Sequence, residues 1–222
     1  MITFKTYLEE GVNDPAIFKL IFMAGGPGSG KSFVVGKTAL QPIGFKLINN
    51  DIAFEKFLKD ANLASTPENL YSDKAQKIRD KAKSLTLKKE KLAINGRLGL
   101  IIDGTGKDYH KILQQKKEIE RFGYESMMIF VNTDIETALL RNNKRSRTLP
   151  ETEVKRMWKS VQNNIGKFQN LFKGNMLIVD NSEGQNIEKN TLDAYKEAVK
   201  FAKKPIKNIK AKKWIKNHQN TY

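Results

Sequence analysis

A three-layer α/β fold with a parallel sheet of about five strands is the architecture this sequence predicts, and three observations predict it. Short continuous apolar runs alternate with helical stretches along most of the chain. Such runs mark strands buried on both faces of a parallel sheet. A glycine-rich turn, Gly25-Gly26-Pro27-Gly28-Ser29-Gly30-Lys31-Ser32, directly follows the first run and precedes a helical stretch. Its spacing is G-x-x-x-x-G-K-S, a phosphate-binding loop. The length, 222 residues, suits one α/β domain with some elaboration.

The elements follow in order. Residues 1–17 form a leading segment, in which Phe4, Tyr7 and Leu8 share one helical face before Gly11 and the turn Asn13-Asp14-Pro15. The domain proper spans residues 18–202. Phe18–Ala24 is the first strand, and a helix runs from about Ser32 to Leu40 until Pro42 and Gly44 break it. Phe45–Ile48 is a short second strand ending at Asn49-Asn50-Asp51. Ser65-Thr66-Pro67-Glu68 starts a helix, with proline in the first turn and an acid beside it. That helix runs to about Ile94 and is strongly basic, with eight Lys/Arg and three Asp/Glu between Asp73 and Lys91. Leu98–Ile102 is the third strand, ending at Asp103-Gly104-Thr105-Gly106, and a helix from about Lys107 to Arg121 stops before Gly123. Glu125–Asn132 is the fourth strand, and Asp134 caps a helix to about Lys144. Pro150 opens a further helix, on which Val154, Met157, Val161, Ile165, Phe168 and Phe172 recur on one core-facing side. Met176–Val179 is the fifth strand, followed by a helix from about Glu188 to Lys203. Residues 203–222 are a tail with seven lysines and no acid from Lys203 to Lys216, which reads as a mobile basic arm.

Composition narrows the function. There is no cysteine, which excludes disulfides, thiolate metal sites and cysteine nucleophiles and fits a reducing cytoplasm. The two histidines, His110 and His218, lie far apart, against a histidine-based metal site or triad. No apolar run is long enough to span a membrane, and the N-terminus has no signal-peptide pattern. The formal charge of +16 arises from 40 Lys+Arg against 24 Asp+Glu. Such an excess favours a polyanionic partner, with nucleic acid the first expectation and a solvated lysine-rich surface the alternative.

The loop defines the chemistry. Glycine lets the backbone turn its N–H groups onto phosphate, and the helix opening near Lys31 adds the positive end of its dipole. Gly25, Gly26, Pro27, Gly28, Ser29, Gly30, Lys31 and Ser32 are therefore the nucleotide-binding set, with Lys31 on the β- and γ-phosphates and the Ser32 hydroxyl on Mg²⁺. In a parallel sheet the other reactive groups belong at the carboxyl ends of the strands. After the second strand stands Asp51, read as the base that takes the acceptor proton, with a helix cap as its structural alternative. After the third stands Asp103, read as the acid behind the Mg²⁺ shell. Asp103-Gly104-Thr105 shares the end of a D-x-D-G-T phosphatase signature, but Ile101 occupies the nucleophile position and excludes that reaction. Arg141 and Arg145, four apart on one helical face, are placed to close over the triphosphate as a lid; a basic helix terminus answering the dipole is the alternative. Asp180–Gly184, after the fifth strand, falls where adenine would rest.

Taken together, Gly25–Ser32, Asn50-Asp51, Ile102-Asp103, Leu140-Arg141-Asn142-Asn143-Lys144-Arg145, Leu149-Pro150 and Met157-Trp158-Lys159-Ser160 resemble the kinase domain of bacteriophage polynucleotide 5′-kinases, over about residues 18–160. The resemblance implies a P-loop NTPase fold of the kinase type, within the zeta-toxin-like group. It also implies ATP and Mg²⁺ as cofactors, oligomers, and transfer of the γ-phosphate to a 5′-hydroxyl of DNA or RNA in the cytoplasm, the host's if the chain is phage-encoded. It makes Lys31, Asp51 and Arg145 the catalytic residues and Arg141 a phosphate contact. Two departures accompany it. The family's arginine three residues after the base is Phe54 here, free by this reading to stack on a base, and no phosphatase domain follows the kinase core. Alternative readings are a zeta-toxin-like UDP-N-acetylglucosamine kinase, a kinase of hydroxymethylated bases in phage DNA, and a regulatory protein that binds ATP without kinase activity.

Overall fold

The computed structural model describes residues 12–38, 40–64, 66–144 and 148–219. Among them five strands form one sheet: β1 (Lys19–Ala24), β2 (Lys46–Ile48), β3 (Leu100–Asp103), β4 (Glu125–Asn132) and β5 (Met176–Asp180). Every ladder is parallel and the order is β2-β3-β1-β4-β5. All six residues of β1 are buried, which is why Leu20–Ala24 run apolar without alternation. Side chains still alternate between faces along a strand. Leu20, Phe22 and Ala24 enter one core layer and Ile21 and Met23 the other.

The helices are α1 (Lys31–Thr38), α2 (Asn50–Asp60), α3 (Pro67–Leu70), α4 (Asp73–Asn95), α5 (Tyr109–Glu120), α6 (Ile135–Asn143), α7 (Glu151–Gln162), α8 (Ile165–Phe172), α9 (Ile187–Lys203) and α10 (Ile209–Gln219). Val34 and Val35 of α1 pack with Ala194, Ala198 and Phe201 of α9 against one face of the sheet. Ile119 of α5, Phe168 and Phe172 of α8 and Ala211 of α10 cover the other. A satellite cluster joins Phe54 and Leu58 of α2 to Ala75 and Ala82 of α4.

Several elements differ from the sequence reading. β1 begins one residue later, because Phe18 ends the preceding turn at a φ of 57°. The apolar stripe from Val154 to Phe172 lies inward but on two helices rather than one. The chain breaks at Asn163-Asn164, where the Asn164 amide donates to the carbonyls of Gly106 and Lys107, both at 3.0 Å. The basic stretch from residue 66 divides at Ser72, whose hydroxyl accepts from the Ala75 N–H at 3.2 Å and caps α4. Of the leading segment, the helical face of Phe4, Tyr7 and Leu8 lies outside the described residues.

The tail is the largest correction. Residues 209–219 form the helix α10, docked against the sheet. Ala211 sits against Gly123, where a Cβ would lie 3.0 Å from the Ala211 nitrogen. Trp214 meets Phe18 edge-on at 5.5 Å and stacks on His218 at 4.0 Å. The Lys207 N–H donates to Glu125 Oε1 at 2.7 Å, while Glu125 Oε2 pairs with the buried Lys19 ammonium at 2.7 Å. Burial pushes the Glu125 carboxyl up, but these donors outweigh it and hold it below its ordinary value. Three inward residues among seven lysines are too sparse a stripe to announce a helix.

Candidate active site

The order of the strands reverses around β1: the chain runs out to β2 and back through β3 on one side, then to β4 and β5 on the other. A crevice opens beyond the carboxyl end of a strand so placed. Here it is a cleft of about 780 Å³ whose walls include the loop Gly25–Ser32 except Ser29, together with Asn49, Asp51, Glu55, Asp103 and Arg141. The loop, Asp51, Asp103 and Arg141 are thus brought together from four separate stretches of chain.

The loop needs glycine at two positions. Gly28 and Gly30 have φ of 75° and 79°, in the region other residues avoid. A Cβ at Gly28 would run into the Ala138 carbonyl oxygen of α6, and one at Gly30 into the Asn181 amide nitrogen. Asn181, buried after β5, donates from Nδ2 to the Ser29 carbonyl at 2.7 Å. Its own carbonyl accepts from Arg141 Nη1 at 2.8 Å, and its Oδ1 from Arg141 Nη2 at 3.3 Å. One asparagine thereby fixes both the loop and the arginine. Asn181, within the segment read from the sequence as the adenine site, supports the loop, a role for which one sequence carries no signal.

Asp103 ends β3 with its side chain 2% exposed. It accepts from the Lys31 ammonium on Oδ1 and from the Asn49 amide on Oδ2. Asn49 Oδ1 in turn accepts from the N–H groups of Asp51 at 2.7 Å and Ile52 at 3.3 Å, capping α2. The cap is therefore Asn49, and Asp51 stands exposed in the first helical turn with its carboxylate not required for that purpose. Asn49 was missed in the sequence although Asn is a favoured cap residue and an acid follows in the first turn, the two signals that would have found it.

Phe54 does not face the cleft. It is 2% exposed in the satellite cluster, with the Arg79 guanidinium 4.3 Å over its ring. The expectation that it stacks on a base is corrected: three residues after Asp51 the helix has turned inward, and a large apolar side chain there belongs to the core. Arg145 lies outside the described residues, as do Ser146 and Arg147. Their neighbours are held together: Asn142 donates to the Leu149 carbonyl at 2.9 Å and accepts from its N–H at 3.1 Å. Trp158 of α7 donates from its indole to the Thr133 carbonyl at 2.8 Å, and the helix passes over the loop so that a Cβ on Gly26 would lie 3.8 Å from the Trp158 Cα.

The family model described as Zeta toxin matches residues 8–192. The chain belongs to the Zeta toxin family. No curated protein matches it. Among solved structures, this family member is similar to a chain of the Pnkp1/Rnl/Hen1 RNA repair complex, at 18% identity and a TM-score of 0.52. It covers 68% of this chain and 46% of that one, so this chain spans less than half of the RNA repair protein. It is also similar to a chain from the PezAT toxin–antitoxin system of Streptococcus pneumoniae, with 14% identity over 90% of this chain and 96% of that one and a TM-score of 0.54. A gluconokinase from Sinorhizobium meliloti gives 14% identity over 84% and 94%, with a TM-score of 0.50. At such identities these likenesses concern the fold, which is that of P-loop kinases, and the loop makes this Zeta toxin family member a nucleotide-binding protein of that class. No helix among the described residues is long and apolar enough to cross a membrane.

Proposed function

We propose that this chain is an ATP-dependent phosphotransferase that moves the γ-phosphate to a hydroxyl acceptor held at Asp51. The observation that supports it is the placement of an exposed aspartate, relieved of any capping duty, in the same cleft as the phosphate loop. In the transfer, the acceptor oxygen forms a bond to the γ-phosphorus, the bond to the β,γ-bridging oxygen breaks, and the acceptor proton passes to the Asp51 carboxylate. Lys31, presented to the cleft by Asp103, and Arg141, presented by Asn181, answer the charge on the phosphates.

The donor set fits Mg²⁺. Ser32 and Asp103 both line the cleft and offer hard oxygens. Among the described residues no group of three or more His, Cys, Asp or Glu gathers as for a dedicated metal cage. That suits an ion completed by phosphate oxygens and water. Bound there, Mg²⁺ would neutralise phosphate charge; Ser32 would hold it, with Asp103 behind.

For the acceptor, the charge of +16 favours a polynucleotide 5′-hydroxyl, the reading we put first. The Zeta toxin match fits the alternative that the sequence resemblance raised, a zeta-toxin-like UDP-N-acetylglucosamine kinase. An acceptor screen with γ-labelled ATP tests both. Label on 5′-hydroxyl oligonucleotides is the expected result. Label on the nucleotide sugar selects the second reading, and label only as free phosphate overturns the kinase assignment.

A further inference from the structure

The basic tail is folded, and it is folded at the wrong end of the molecule for the cleft. Its contacts are Phe18, Gly123 and Glu125, which stand at the amino ends of β1 and β4. The phosphate loop follows the carboxyl end of β1. Six strand residues separate the two ends, about 20 Å at the usual rise.

Lys203, Lys204, Lys207, Lys210, Lys212, Lys213 and Lys216 are all exposed, and none of them forms an ion pair among the described residues. No acid follows Glu197 in the sequence. The helix turns Ala211, Trp214 and Ile215 inward and leaves Ile209 as its one exposed apolar residue, so its outer surface carries Lys210, Lys212, Lys213 and Lys216 beside the polar Asn217, His218 and Gln219. A membrane-surface helix keeps an apolar face free for the acyl boundary, and here Ala211, Trp214 and Ile215 are packed on the fold, leaving a single exposed isoleucine, Ile209, which is no such face. Lysines act as point charges suited to phosphates rather than to base edges.

We infer that α10 and the segment leading into it form a docking surface for the phosphate backbone of a single-stranded nucleic acid, separate from the transfer cleft. It is a tether, not an acceptor groove: a strand held by Lys212, Lys213 and Lys216 is bound without regard to sequence and without touching Lys31 or Asp51. The inference stands whichever hydroxyl the cleft phosphorylates.

The test is fluorescence anisotropy of a labelled single-stranded 30-mer with the full chain across a salt series. Three proteins are compared: wild type, Lys212→Gln/Lys213→Gln/Lys216→Gln, and Lys31→Ala. Each single-strand phosphate neutralised contributes roughly 0.7 to the slope of log affinity against log salt. The triple variant should therefore show a slope shallower by about 2 and affinity at least tenfold weaker at low salt. Lys31→Ala should bind the strand as wild type does. Thermal melting checks the fold, and Lys212→Arg/Lys213→Arg/Lys216→Arg, which keeps the charge, should restore binding. An unchanged slope in the triple variant overturns the inference. So does loss of binding in Lys31→Ala, which would put the strand in the cleft, or retention by anionic phosphatidylserine vesicles in place of the oligonucleotide. Failure of kinase activity in the acceptor screen leaves these readouts untouched, so the two readings fail separately.

Discussion

Asn49 donates its amide to the same Asp103 carboxylate that receives the Lys31 ammonium. With its other amide atom it caps α2, two residues before Asp51. The phosphate loop, the end of β3 and the helix carrying the proposed base thus meet through one asparagine and one buried acid. The phosphate loop and the start of α2 therefore share one hydrogen-bonded network.

Substitutions at Asn49 separate its two duties. Loss of a cap costs about 1 kcal/mol, so Asn49→Ala should melt several degrees lower. Asn49→Ser retains a capping hydroxyl but cannot reach Asp103 as the amide does. It should recover most of the stability while turnover stays depressed with nucleotide affinity little changed. Melting curves and kcat for both variants check this; equal recovery of both properties in Asn49→Ser would make the bridge to Asp103 irrelevant.

Asp51→Asn keeps the shape of the side chain and removes the proton acceptor. Groups in this role contribute ~10²–10⁴-fold, so turnover should fall by that order while ATP binding and melting temperature persist. The cap on α2 is supplied by Asn49, which is why the fold is expected to be indifferent. A variant that unfolds, with full specific activity in its folded fraction, would return Asp51 to a structural role.

Much of this was legible in the sequence, and the exceptions have physical causes. The five strands were visible because each is a short apolar run bounded by polar turns, and β4 was read to the residue. Gly25–Ser32 was visible because its glycines answer a backbone requirement that no other residue meets cheaply. The helix α2 was not placed because only Phe54 and Leu58 of Asn50–Asp60 are fully buried, with Ala53 and Phe57 half-buried beside them, and the cluster they join is completed by α4. The position of Phe54 was misread for the same reason, since its partners come from α4, beyond reach of any local pattern. Asn181 and Asn49 support the site through single amide groups, and their importance lies in what folds against them.

Phe54 is therefore expected to act on stability. Truncating a buried phenylalanine costs ~3–5 kcal/mol, so Phe54→Ala should melt far lower, while Phe54→Leu, which refills most of the space, should lose much less. Neither should change the KM for the acceptor in the folded fraction. A selective rise in acceptor KM with unchanged melting of Phe54→Leu would show that the ring reaches the substrate after all.

Asp134 gives a pH signature. It caps α6 by accepting from the Thr137 N–H at 2.6 Å and hydroxyl at 2.7 Å. That N–H, aided by the hydroxyls of Thr137 and Ser182, lowers its pKa to about 2 against burial that pushes it up. A folded-state pKa below the ordinary 3.8 means the stabilisation is fully present above 3.8 and fades as pH falls toward about 2. Asp134→Ala should cost ~1 kcal/mol near neutrality. Melting curves of the two proteins should converge between pH 4 and pH 2. A gap that persists to pH 2 would mean that the protonated carboxyl caps as well as the charged one.

Gly30→Ala tests how the loop is held. Alanine at a φ of 79° is strained by about 1–2 kcal/mol. Its methyl group would also strike the Asn181 side-chain amide, whose Nδ2 holds the Ser29 carbonyl and whose Oδ1 accepts from Arg141 Nη2. Two costs are therefore superimposed, and a second substitution separates them. Asn181→Ala alone should weaken nucleotide binding, because it releases the Ser29 carbonyl and removes the longer of Arg141's two bonds, leaving only the one to the backbone carbonyl. In the double variant the collision is gone and only the strained backbone remains, so the stability losses of the two single variants should not add. Thermal melts and titration with a fluorescent ATP analogue on the four proteins complete the cycle. Strict additivity would show that the Asn181 amide moves aside without cost, and that the glycine is required by its φ alone.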